Sequence, residues 1–157
     1  GDPIWGWTGA DELARVVTAL STADDRPVLL FMHQLLRPWP GQAGWRDYYG
    51  VANGGVVLDI AARYGNVAAV FQAHAHRLDV QTALLGGRPC TFVILPSLIE
   101  YPLAWVRLDL GAEGCRMRLQ PLRLPAARAD ALCCGTDPRW RAGEPAWSDW
   151  KILIDRR

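Results

Sequence analysis

This 157-residue chain holds only three histidines, and they are unevenly placed. His74 and His76 stand one residue apart in VFQAHAHRLD (70–79), straight after the apolar run Val67-Ala68-Ala69-Val70-Phe71. His33 directly follows a second apolar run, Val28-Leu29-Leu30-Phe31-Met32. Neutral imidazole is a ligand for Zn, Mn, Fe or Ni. If both runs are buried strands, each histidine lies just past a strand's carboxyl end, where ligand sites of α/β sheets gather, and the three can converge. In extended backbone the side-chain period of two turns His74 and His76 to one side with Ala75 facing away, so the pair can reach one ion or two neighbouring ions. An ordinary hydrogen-bonded histidine is the alternative for each. A ligating imidazole also needs an acceptor for its other ring nitrogen, for which Asp79 and Asp47 are candidates. Three histidines do not complete a two-metal hydrolytic site, which also takes carboxylates, one usually bridging; the remaining ligands are expected elsewhere.

The elements that must hold these residues follow from patterning. Thr8 and Asp11 suggest a capping box, and Leu13, Val16, Val17 and Leu20 share one face of a helix over about residues 9–21. Residues 28–32, apolar at every position, suit a central strand covered on both faces. RPWPGQAGWRDYYG (37–50) has neither period and reads as a loop of functional length, its Trp39, Trp45, Tyr48 and Tyr49 placed to overhang a site after His33 or to pack on one another. A second helix carries Val56, Val57, Ile60, Ala61 and Tyr64 on one face, with Asn53 at its start and Gly65 as a left-handed stop. A short buried strand over 67–71 then ends at the histidine pair.

From Val80 on the pattern becomes antiparallel. Val80–Leu85 and Pro89–Leu95 flank the tight-turn dipeptide Gly86-Gly87. Leu103–Leu110 and Cys115–Gln120 alternate on either side of Gly111-Ala112-Glu113-Gly114, a second hairpin with one wet face. In PSLIEYP, Ser97, Glu100 and Tyr101 invite a nucleophile, yet no base is placed by Ser97 and Tyr101-Pro102 marks a turn into a strand. Beyond about Leu124 no element is clear; a tail with Trp140, Trp147 and Trp150 would wrap over the core or a partner. The division is residues 1–124 as one domain part and 125–157 as a Trp/Pro-rich tail.

Composition narrows the partners. Seventeen basic against sixteen acidic residues, a formal charge of +1, give no electrostatic case for nucleic acid or an anionic membrane surface. Half of the residues are hydrophobic, with no run long enough to span a bilayer, as expected of a globular domain. Gly1 in place of methionine suggests that the chain begins inside a longer product. Cys90, Cys115, Cys133 and Cys134 lack CxxC spacing and are expected as free thiols, although the adjacent pair 133–134 could be redox active.

Taken in order, VLLFMH (28–33), a Pro-containing loop, a helix from near Asn53, VAAVFQAHAH (67–76), a hairpin and TFVILPSLIEYPLAWVRLDL (91–110) resemble the C-terminal half of calcineurin-like metallophosphoesterases over roughly residues 8–120. The resemblance implies an α/β fold: half of a four-layer αββα sandwich, with a mixed sheet and antiparallel hairpins, this stretch supplying one sheet and its helices. It implies two divalent ions (Mn, Fe or Zn), with His33 and His74 on the second and His76 on the first. It implies metal-activated hydroxide attacking a phosphomono- or phosphodiester substrate. The bridging aspartate, an asparagine ligand and a catalytic histidine would come from an N-terminal half, in cis or as a separate chain, so this stretch alone is expected to be inactive. Two positions depart from the pattern. Ala73 replaces a glycine, tolerable only if its φ is not positive, and Gln34 follows His33, either touching substrate or filling the loop. The alternative is a non-catalytic or degenerate module that binds one zinc or a protein partner.

Overall fold

The computed structural model describes residues 6–36, 49–112 and 114–154. Its chain order is α1 (Ala10–Ala23), β1 (Val28–Phe31), α2 (Gly54–Tyr64), β2 (Val67–Gln72), β3 (Asp79–Leu85), β4 (Arg88–Ile94), β5 (Ala104–Gly111), β6 (Gly114–Pro121), α3 (Pro125–Cys134), α4 (Pro138–Ala142) and β7 (Asp149–Ile152). The fold is α/β, with a mixed four-stranded sheet ordered β1-β2-β4-β3 and an antiparallel three-stranded sheet ordered β5-β6-β7.

In the mixed sheet β1, β2 and β4 run parallel, with Phe31 opposite Phe71 and Gln72 opposite Ile94. Three carboxyl ends therefore meet at one edge. β3 returns antiparallel to β4 through Gly86-Gly87, whose φ angles of 59° and 82° are those a two-residue hairpin turn requires. A side chain at Gly86 would also strike the Ala62 carbonyl 2.2 Å away, so this turn packs directly on α2.

Alternation divides the interior into two cores. Val70 of β2 and Phe92 and Ile94 of β4 face Leu20 of α1 and Val57 and Ala61 of α2. Ala69, Phe71 and Val93 face the second sheet, against Cys115, Met117 and Ile152. All six residues of β2 are buried, and fully burying an apolar side chain contributes about 1.5–3 kcal/mol, so this strand anchors both layers.

Several expectations change. The first helix is entered at Gly9 rather than through a Thr8 box: the Gly9 N–H donates to Glu12 Oε2 at 2.9 Å. Asn53 does precede α2 but caps nothing there; its side chain exchanges two hydrogen bonds with the Thr8 backbone, at 2.9 and 2.8 Å. Gly65 closes α2 in the left-handed conformation as expected. Among the described residues β1 is not central but the outermost strand of its sheet, and Phe31 is 62% exposed. The chain contributes strands to two sheets rather than one, and its last residues form helices and β7, which pairs with β6.

Candidate metal centre

The parallel register builds the site. With Phe31 opposite Phe71, the two chains leave the sheet side by side: the Met32 N–H donates to the Phe71 carbonyl and the Ala73 N–H to the His33 carbonyl, at 2.9 and 2.8 Å. His33 and His74 are thus neighbours by strand geometry. The third parallel strand delivers Leu95–Glu100 to the same edge, its Leu95 N–H donating to the Gln72 carbonyl at 2.7 Å.

The histidine pair is not extended. β2 ends at Gln72, and His74 and His76 both take positive φ, 48° and 50°, with the Ala75 N–H donating to the Ala73 carbonyl in a tight turn. A non-glycine residue in this region costs on the order of 1–3 kcal/mol and persists where its surroundings impose it, commonly at a functional site. Ala73 is not among the positive-φ residues, so its methyl group meets the condition set by the missing glycine.

His33 Nε2 and His74 Nδ1 face each other at 3.0 Å, with the rings edge to face at 4.9 Å between centroids. The ring of Tyr49, from the end of the long loop, packs edge-on against His74 at 5.7 Å. Trp39, Trp45, Asp47 and Tyr48 lie outside the described residues. Burial above all, and then His33 and His76, lower the His74 pKa and favour its neutral, lone-pair-bearing form. Two nitrogens 3.0 Å apart suit one shared ion: with metal–nitrogen distances of about 2.1 Å they subtend roughly 90°. They can equally hydrogen-bond to one another. Among the described residues no group of three or more His, Cys, Asp or Glu side chains that could hold an ion comes together, so the donors are present as pairs.

The other pair is His76 Nδ1 with Glu100 Oε2, at 2.5 Å. Of the two predicted acceptors, the described one, Asp79, does not serve here. Asp79 is fully buried and binds Arg77 Nε at 3.0 Å, and Asp47 is not described. Sequence reasoning passed over Glu100 as part of a turn. Its signal was the hairpin itself: a two-residue turn at Gly86-Gly87 pairs Ile94 with Asp79, so the residues after β4 return past His76. Ser97 is held by the turn, accepting from the Ile99 N–H at 3.1 Å. Gln34 fits against Gly6, where an added methyl would fall 2.0 Å from its Oε1.

The chain shares its α/β fold with a dimetal phosphatase. That solved structure, from Danio rerio, aligns with a TM-score of 0.64 at 18% identity, over 94% of this chain and 38% of the other. The chain therefore spans well under half the length of that phosphatase, and at such identity the likeness is one of fold. No protein-family model and no curated protein matches the sequence.

The cysteines take no part. All four are free; burial pushes the Cys90 thiol up to about 12, and a hydrogen bond made by the Cys134 thiol to Cys133, ahead of burial, raises that of Cys134. A raised thiol is a poorer nucleophile at neutral pH.

Proposed function

We propose that this chain is the C-terminal part of a metal-dependent phosphoesterase acting on phosphomono- or phosphodiesters, with His33 and His74 on one divalent ion (Mn, Fe or Zn) and His76 on a second. The observation that carries this reading is the 3.0 Å approach of His33 Nε2 to His74 Nδ1 at the carboxyl ends of adjacent parallel strands. The fold shared with a dimetal phosphatase supports it. When bound, such ions supply a water acidified toward neutrality and positive charge against the phosphate oxygens. The chain's own share is positional: parallel strands align two imidazoles, burial keeps His74 neutral, Tyr49 backs its ring, and Glu100 engages His76.

The missing carboxylate ligands belong, in this reading, to an N-terminal half, in the same polypeptide or a separate chain. The sheet edges support that. β1 has the sequence of a covered strand yet ends its sheet, and two openings of about 820 and 290 Å³ lie between β1 and the β5–β6 hairpin, bordered by Leu29 and Leu110 and by Phe31 and Trp105. Phe31, Trp105 and Leu110 are 62%, 47% and 70% exposed. Each withholds part of the roughly 1.5–3 kcal/mol that its burial would contribute, which a covering half would recover.

The test is hydrolysis of an activated aryl phosphoester by the product that carries the N-terminal half. It should proceed there, be nearly absent from the 157-residue chain alone, and fall at least about 100-fold in His74→Ala, beyond the 10–100-fold typical of groups behind the ligands. Full rate and retained metal in His74→Ala would overturn the reading. A second reading, a non-catalytic module with one zinc or a protein partner, is favoured by the pairwise grouping of donors. One equivalent of zinc and no hydrolysis by the same product would select it.

A further inference from the structure

We propose that Glu100 and Arg141 are positioning residues for His76: Glu100 fixes which ring nitrogen keeps its lone pair, and Arg141 fixes Glu100 and the backbone on which His76 stands. The role rests on reading His76 as a ligand, but its own evidence is separate.

An ionised carboxylate only accepts, so against Glu100 in that form the 2.5 Å contact places the proton on His76 Nδ1. In a neutral ring held this way the lone pair falls on Nε2. An imidazole that ligates through one nitrogen generally donates from the other to a carboxylate or carbonyl, which sets its tautomer and ring direction. Glu100 is 24 residues from His76 in sequence and reaches it from the loop after β4.

Arg141 closes the arrangement from the tail. Its Nη1 lies 3.0 Å from the same Glu100 Oε2 and 3.3 Å from both the Ala75 and His76 carbonyls, while Nε donates to the Thr136 carbonyl at 2.9 Å. Its own carbonyl accepts from the Leu78 N–H at 2.9 Å. Nη1 thus ties a carboxylate to the two carbonyls around a residue of positive φ while Nε holds the Thr136 carbonyl, and it is this second, fixed nitrogen that an ammonium cannot reproduce. The side chain of Arg141 is 14% exposed, against 34% for Glu100 and 39% for His76, so the network is firm at its base and open at the imidazole. Gly143 makes the approach possible: with φ at 68°, a side chain there would meet the Leu78 carbonyl at 2.1 Å.

A purely structural clamp would change stability alone, so the deciding readout is the tautomer. Ring-nitrogen chemical shifts of His76 in the 157-residue chain, followed to the high-pH plateau at which the ring has become neutral, should show the proton on Nδ1. Glu100→Ala should shift it toward the Nε2–H form, Glu100→Gln should keep it through its amide oxygen, and Arg141→Lys should shift it partly. Cobalt(II) affinity, followed by visible absorption, should fall about 10–100-fold in Glu100→Ala and recover in Glu100→Gln. A wild-type proton on Nε2, or an unchanged tautomer in Glu100→Ala, overturns the proposal. Absence of cobalt binding by every form, with the tautomer responding as stated, supports the positioning role and counts against the metal reading instead.

Discussion

Two charged networks begin at adjacent residues and serve different ends. Arg77 and Asp79 pair at 3.0 Å with side chains 10% and 0% exposed, and the Arg77 guanidinium lies 4.8 Å from the Trp140 ring and 5.9 Å from that of Trp147. One residue earlier, His76 with Glu100 and Arg141 forms a network whose imidazole and carboxylate stay open to solvent. The first is sealed by the tail's tryptophans within the fold, where neither partner can be lost alone without cost. The second accepts exposure and a left-handed backbone at His76. The tail fastens both, so it belongs to the site as much as to the core. Burial, not charge, separates the two roles.

The contrast predicts a graded series. Arg77→Met should have the largest effect, about 3–5 kcal/mol by urea denaturation, because it leaves Asp79 buried without its cation. Burial already outweighs Arg77 and holds the Asp79 carboxyl above the ordinary carboxylate range, so the native state takes up this proton before the unfolded chain does. Without Arg77 the carboxyl rises further, so the deficit should shrink as pH falls toward that raised value and level off below it. The double variant Arg77→Met/Asp79→Leu should return close to the wild-type midpoint; a loss as large as that of the single variant would break the comparison.

Gly143→Ala should rank next, at about 2 kcal/mol, since it adds a strained φ and a clash with Leu78. It should also loosen His76, visible as broadened ring signals. Glu100→Gln should cost under about 1 kcal/mol, the scale of a solvent-screened pair. Its stability effect should fall well below that of Arg77→Met; equal losses would erase the division of labour. Smallest of all, Asp149→Asn, which breaks the exposed pair with Arg116, should leave the midpoint where it is.

Much of the fold was legible because each signal was local. The strand–helix–strand run from Val28 to Gln72 and the hairpins turning at Gly86-Gly87 and Gly111–Gly114 follow from apolar periods and glycine placement. The edge position of β1 was not legible, since an all-apolar strand carries no mark of which neighbours will cover it. The tail was opaque for a different reason. α3 buries none of its residues, so it has no stripe to find, and β7 is only four residues long. At the site, the meeting of His33 and His74 followed from strand ends, whereas the left-handed backbone of the pair and the choice of Glu100 over Asp79 depend on tertiary contacts with Arg141 and Arg77.

Anomalous diffraction at the manganese edge, from crystals of the chain equilibrated with manganese(II), tests whether His33 and His74 share one ion. Shared ligation should give a peak between His33 Nε2 and His74 Nδ1, at about 2.1–2.2 Å from each. Unchanged rings hydrogen-bonded to each other, with no peak at saturating manganese, would contradict it.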